Sequence, residues 1–194
     1  MKKTFLSLLI VGGLFFCTKS VAQNKIFIKA FGSTGAGSAT GVFDGGSTSD
    51  RHRNEIEAYA YSDGLAGCAN ATKLGGGSAC KVVKTPFSFS MPLSFAVISF
   101  KYNLLQGKFL TSVDMVINNN SGERGLDYYK VHMEGVQVTS VSEGASGEAP
   151  VFNIELQPQK IAWEITKQST DGAAGDKFSY GWDFTANRPF AHTF

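Results

Sequence analysis

Six stretches of this chain alternate apolar and polar side chains with a period of two, and that pattern constrains the fold more than any other feature. Phe87, Phe89 and Met91 alternate with serines. Val113, Met115 and Ile117 alternate with Ser112, Asp114 and a more apolar Val116, and Tyr129, Val131 and Met133 with Lys130, His132 and Glu134. Phe152, Ile154 and Leu156 form a fourth set, Ile161, Trp163 and Ile165 a fifth, and Phe178, Tyr180, Trp182 and Phe184 a sixth. Two further strands are expected over Lys25–Phe31 and Asn54–Tyr61. One buried face and one wet face per strand is the mark of antiparallel sheets. Eight or nine short strands joined by Gly-rich turns imply a mainly β domain, a barrel or a sandwich.

One segment departs from this period. Between Ser94 and Gln106, Phe95, Ile98, Tyr102, Leu105 and then Phe109 recur every three or four positions. Pro92 and Ser94 precede the run and Gly107 follows it, so the spacing predicts one helix packed on or capping the sheet. Gly32 to Asp50 is rich in Gly, Ser and Thr and long for a connection, which marks it as a functional or disordered loop.

The first 22 residues read as a leader rather than as part of the fold. Met1-Lys2-Lys3 is basic, Phe5 to Phe16 is almost wholly apolar, and Ser20-Val21-Ala22 places small residues before Gln23. This is the pattern of a secretory signal peptide cleaved near Ala22. Its apolar run is shorter than the ~20 residues that span a bilayer, and no span is expected in the mature chain, residues 23–194, which reads as a single domain. Lipidation at Cys17 is disfavoured, because Phe15 and Phe16 stand where small residues are required. Export to the periplasm or the exterior follows.

Cleavage changes both the charge and the cysteine count. The whole chain holds 18 Lys and Arg against 16 Asp and Glu. Losing Lys2, Lys3 and Lys19 leaves 15 against 16, and this balance argues against a non-specific nucleic-acid footprint. Of 3 cysteines, Cys68 and Cys80 remain, flanking an Asn-, Lys-, Gly- and Ser-rich segment. In an oxidising compartment such a pair is expected to form a disulfide; two free buried thiols are the alternative. No metal site is expected, since two thiols need two more ligands and His52, His132 and His192 stand singly in the sequence.

No catalytic constellation emerges and no cofactor is implied. Gly35 to Gly41 has Thr40 where a dinucleotide fingerprint needs its third glycine, and no helix is expected to follow. No nucleophile elbow or Walker lysine motif is present. His132 sits on the polar side of its strand and is expected at the surface. Arg51-His52-Arg53 reads as a solvated basic turn, with a subunit contact as the alternative. Asp171 and Asp176 bracket a plain turn whose spacing does not suit calcium.

Two regions resemble a known family. Asp127-Tyr128-Tyr129-Lys130-Val131 runs on to Val138-Thr139-Ser140-Val141-Ser142. Val151 to Asn187 contains Lys160-Ile161-Ala162-Trp163 and then Gly181-Trp182-Asp183. These are similar to the C-terminal half of the haemolysin-coregulated protein (Hcp) family, the tube proteins of type VI secretion. Ile26-Phe27-Ile28-Lys29 and Glu55-Ile56-Glu57 resemble its first two strands more loosely, and the helix ending at Gly107-Lys108 sits where its single helix does. The resemblance implies a small antiparallel β-barrel with one lateral helix. It implies subunits in rings of six that stack into a hollow tube, a structural conduit and effector carrier with no enzymatic role. Expected partners are further copies of the chain, secretion-apparatus components and effector proteins. Two features depart from the family pattern, the leader and the segment from Ala66 to Cys80, and both fit a tube-like domain reused outside the inner membrane.

A closed ring needs two different, complementary side surfaces on each subunit. Tyr128 and Val141 fall opposite the apolar sets of their strands, and Tyr59 and Tyr61 flank Ala60. These four are the candidate subunit interface; the alternative is that they fill a second layer of the barrel or lie under the helix. A secreted monomeric binding module with the same fold is the competing functional reading.

Overall fold

The computed structural model describes residues 24–35, 39–67, 82–119, 125–145, 147, 149–169 and 173–194. The leader, with its cleavage site, and both Cys68 and Cys80 lie outside the described residues. The chain runs through β1 (Asn24–Ser33), β2 (Thr40–Val42), β3 (Ile56–Ala58), β4 (Ala60–Ser62), β5 (Leu65–Ala66), β6 (Val83–Lys84) and β7 (Phe87–Pro92). The helix α1 (Ala96–Gln106) follows, then β8 (Phe109–Asn119), β9 (Leu126–Gly144), β10 (Val151–Gln168), β11 (Ala174–Asp183) and β12 (Arg188–Pro189).

Every pairing is antiparallel, and the main path of the 10-stranded sheet is β12-β11-β10-β9-β8-β1-β2. β3 adds to β1, β7 adds to the first half of β10, and β4 adds to β7. The expected class, mainly β and antiparallel with one helix, is what forms. The sheet is nevertheless not closed into a barrel. A closed wall would need one strand bonded to both β1 and β7, and here β3 serves β1 while β4 serves β7, with Tyr59 between them. The strand count also exceeds the expected eight or nine, because several added strands are only two or three residues long.

Alternation does its expected work in the core. Phe87, Phe89 and Met91 of β7, Val113, Met115 and Ile117 of β8, and Phe152, Ile154 and Leu156 of β10 all enter one buried cluster. The fourth and fifth apolar sets, read as separate strands, belong to the single strand β10. Its first half pairs β7 and its second half pairs β11, while β9 accompanies both. Pro158 falls at the handover between β7 and β11, where its missing N–H interrupts one ladder at most.

The helix forms where the spacing places it, but its buried face is not the one the spacing suggests. Ala96, Val97, Ser99, Phe100 and Asn103 face the core, and Phe95, Ile98 and Leu105 face outward. Phe100 meets Phe43 edge-on at 5.0 Å and Phe89 at 5.8 Å. The polar residues on the inner face have a structural job. Ser99 Oγ donates to the Thr34 carbonyl at 3.0 Å and Asn103 Nδ2 to the Ser33 carbonyl at 2.6 Å, satisfying the end of β1. Gly107 closes the helix at φ 59°, a left-handed cap that suits glycine.

The Gly/Ser-rich stretch 32–50 is more ordered in its described part than its composition implies. Gly32 and Ser33 extend β1, residues 40–42 form β2, and Phe43 is fully buried. Beyond it, Gly45 and Ser47 donate to the carbonyls of Asn54 and Glu55 at 2.8 and 3.1 Å, folding the loop into a hairpin before β3.

Candidate functional site

Two exposed apolar surfaces stand out among the described residues. The first is the outer face of α1 with its flanks. Phe95 is 78% exposed and Leu105 82%, and Leu93, Ile98 and Phe109 are exposed with them. The helix carries no acidic residue in its first turn and no basic residue in its last, so nothing charged interrupts the stripe at those ends. Water around five neighbouring apolar side chains is a cost that burial against a partner removes.

The second surface is an arm made by the end of β10 and the start of β11. Ile165 pairs with Phe178 and Trp163 with Tyr180, which puts all four on one face. Phe178 is 75% exposed, and Ile165 and Tyr180 are exposed beside it. At its base Trp163 Nε1 donates to Asp63 Oδ2 at 2.8 Å. Asp63 also binds Lys84, a buried lysine at the foot of the small β5–β6 ribbon. That ribbon adds exposed Leu65 and Val83.

The two surfaces lie toward opposite ends of β9. Lys101 of the helix pairs with Glu143 at 2.7 Å, near the end of β9, whereas Ile165 of the arm sits opposite Tyr129, near its start. At ~3.3 Å per residue this is about 45 Å of strand.

The four candidate interface residues are distributed unevenly. Tyr59 is 62% exposed and donates its amide N–H to the Ser90 carbonyl at 2.8 Å. Tyr61 is half-buried, stacked at 6.0 Å on Phe87 and 6.5 Å from Tyr129. Burial pushes the Tyr129 phenol up to about 12 and raises that of Tyr61, with Asp63 nearby adding to both. Tyr128 and Val141 are half-buried and pack against the core. The larger apolar surfaces, on α1 and the arm, were not singled out from the sequence. Beside Ile165 the strand is inverted, with Glu164 and Thr166 buried and the apolar residue exposed, whereas both Phe178 and its polar neighbours Lys177 and Ser179 are exposed.

Two histidine sites differ from the sequence expectation. The Arg51-His52-Arg53 turn is solvated only at its arginines; His52 is buried and lies flat on Phe27 at 4.1 Å. Its Nδ1 meets Glu55 at 2.9 Å and its Nε2 Asp127 at 3.3 Å. Burial alone would lower its pKa, but the hydrogen bonds and charges of the two carboxylates raise it to about 9. Asp127, also bound by Asn118 and Arg51, is held at about 2 against the opposing effect of its own burial.

His132 is likewise buried rather than at the surface. The C-terminal segment after β12 crosses the sheet face opposite the core and lays His192 on His132, ring centroids 3.7 Å apart and planes within 6°. Two histidines that stand 60 positions apart in sequence are therefore adjacent, a pairing no local pattern announces. Among the described residues no helix is long and apolar enough to cross a membrane.

The fold and its motifs have known counterparts. The family model described as "Type VI secretion system effector, Hcp" matches residues 27–165. The protein named Hcp1 of Pseudomonas aeruginosa is 28% identical over 150 residues, covering 76% of this chain and 93% of that protein. The crystal structure of Hcp1 from Salmonella typhimurium superposes with a TM-score of 0.67 at 25% identity, covering 88% of this chain and 100% of that one. A structure titled as a type six secretion system protein gives a TM-score of 0.75 at 21% identity, over 87% of this chain and 100% of its own. β2 to β9, the lateral helix and the residues that carry the Y-x-K and K-I-x-W motifs fall within the matched span, and the chain belongs to the Hcp family of type VI secretion proteins.

Proposed function

We propose that this protein is an exported structural subunit that assembles with copies of itself into a closed ring, most simply of six as in the family resemblance, and that the ring serves as a conduit or carrier rather than as an enzyme. The observation that carries this reading is the pair of dissimilar apolar surfaces, α1 at one end of β9 and the β10–β11 arm at the other. Head-to-tail closure requires two different patches on each subunit, whereas a two-fold dimer requires only one. Tyr59 and the half-buried Tyr61, Tyr128 and Val141 are assigned to the rim of these contacts.

The segment that departs from the family pattern, from Ala66 to Cys80, begins in the β5–β6 ribbon, which forms a sheet apart from the main one, and this supports a ring built from the main sheet. Light scattering on the purified mature protein across micromolar concentrations tests the assembly. A ring mass is expected. A strictly monomeric mass at the highest concentration would instead favour the secreted binding module.

A further inference from the structure

The His132–His192 contact has the composition of a metal site. His132, Glu134 and His192 bring one donor atom each to within 4.8 Å of one another. Both neighbours of the imidazole and the carboxylate orient them. His132 Nδ1 faces Asp114 Oδ1 at 2.5 Å, and Glu134 Oε2 accepts from Lys160 at 3.0 Å. What remains free to point at a shared centre is His132 Nε2 and Glu134 Oε1, which face each other at 3.4 Å. A ligating histidine characteristically donates its other ring N–H to a carboxylate, which fixes the tautomer and raises ligand basicity. Asp114 occupies that place here.

We propose that His132, Glu134 and His192 bind one divalent transition-metal ion of the zinc class, which fastens the C-terminal segment to the outer face of β8 and β9. Two imidazoles and one carboxylate with an open position suit zinc and its borderline neighbours and do not suit magnesium or calcium, which take oxygen cages. Tetrahedral coordination requires donors roughly 3.3 Å apart. The donors must therefore draw in from at most 4.8 Å, and His192, half-buried in a segment outside the sheet, is the one that must supply that movement. The rings now stack face to face, so His192 must swing its nitrogen toward Glu134 as the ion enters. Lys160 stays on the far oxygen of Glu134 and does not occupy the ion's place. No thiol takes part, so the site does not draw on Cys68 or Cys80.

Calorimetric titration of the thiol-alkylated full-length protein with zinc chloride, and separately with magnesium chloride, tests the proposal. One zinc per chain and no magnesium binding are expected. His192→Ala, a change in the partly exposed tail that leaves the sheet intact, is expected to weaken zinc about tenfold or more, and Asp114→Asn by about ten- to a hundredfold. Hydrogen exchange supplies a second readout: zinc should slow exchange over residues 188–194 in the wild type and leave it unchanged in His192→Ala. Failure of the wild type to bind zinc at millimolar concentration would overturn the site. Undiminished binding in both His192→Ala and His132→Ala would do so as well.

Discussion

His52, in the turn before β3, and Asp127, at the start of β9, meet at 3.3 Å across 75 positions of sequence and join the loop to the sheet as a partly buried ion pair. The histidine pKa is raised from 6.5 to about 9, and that of the aspartate is lowered from 3.8 to about 2. A raised histidine stabilises the fold fully below its unfolded value and loses that contribution as pH climbs through its folded value. A lowered aspartate stabilises above its unfolded value and loses that contribution as pH falls through its folded one. The pair therefore contributes most between about 4 and 6.5, and stability should decline from pH 6.5 toward 9. Urea unfolding at pH 5.5, 7.5 and 9 should show the decline in the wild type. In His52→Gln the decline should flatten and the overall stability fall, by about 2–4 kcal/mol if Glu55 and Asp127 are left facing each other. A pH-independent midpoint in the wild type would contradict the assignment.

Cys68 and Cys80 lie in the stretch of chain between the two strands of the β5–β6 ribbon, where Leu65 pairs with Lys84 and Ala66 with Val83. A disulfide between them closes a short loop, for which chain-entropy arguments give roughly 3 kcal/mol. The realised effect should be smaller, since β5 and β6 form their own sheet apart from the core strands. Cys68→Ser with Cys80→Ser should lower stability modestly and leave the fold intact. Two thiols titrating in the native exported protein would show that no such bond exists.

Processing is read from the first residues. Cleavage after Ala22 would leave Gln23 just ahead of β1, which begins at Asn24. Mass spectrometry of the exported protein should find Gln23, free or cyclised, at the N-terminus. Recovery of intact Met1 from the cytosolic fraction would exclude export by this route.

How far the sequence reveals this molecule can be judged from single residues. Phe87, Phe89 and Met91 announce a half-buried strand through their period, and they are buried. The helix is announced by Phe95, Ile98, Tyr102 and Leu105, yet three of the four, Phe95, Ile98 and Leu105, face water. The opposite face, Ala96, Phe100 and Asn103, is selected by the carbonyls of Ser33 and Thr34 waiting at the end of β1, a tertiary demand with no local sign. His132 looks like a surface residue because it alternates with Val131 and Met133. It is covered only because the tail returns over it, and the tail carries no period at all. The open wall was likewise illegible, since Tyr59 breaks the ladder between β3 and β4 without a Pro or Gly to mark it.

If the two apolar surfaces join subunits, a charge on either should break the ring and spare the subunit. Leu105→Glu and Phe178→Glu change side chains that are 82% and 75% exposed, so each should alter monomer stability by only about 0.5 kcal/mol. Both should lower the assembled mass in light scattering, and Tyr59→Glu should weaken assembly in the same direction. Tyr128→Glu places a charge against the core and should destabilise the subunit itself. A ring that tolerates both Leu105→Glu and Phe178→Glu would rule out these surfaces as its contacts.

The glycine of the Gly181-Trp182-Asp183 motif has a specific structural reason to be a glycine. Its carbonyl accepts the amide of Phe190 at 2.9 Å, closing the C-terminal segment onto β11. A Cβ at position 181 would stand 2.5 Å from the Phe190 carbonyl oxygen, 2.9 Å from Ala162 Cβ and 3.0 Å from the Ile161 carbonyl oxygen. Two of those three atoms are backbone and cannot rotate away. β10 is held by β9 along its length, whereas β12 is a two-residue strand paired to β11 alone, so the tail is the part that must yield. Gly181→Ala should therefore displace residues 188–194, unstack His192 from His132 and uncover the outer face of Ala162. The expected signs are fast hydrogen exchange and early proteolysis confined to the last residues, with the core transition shifted by no more than about 1–3 kcal/mol. Unchanged protection of the tail in Gly181→Ala would mean that β10 and β11 separate instead. The loss would then appear in the core transition.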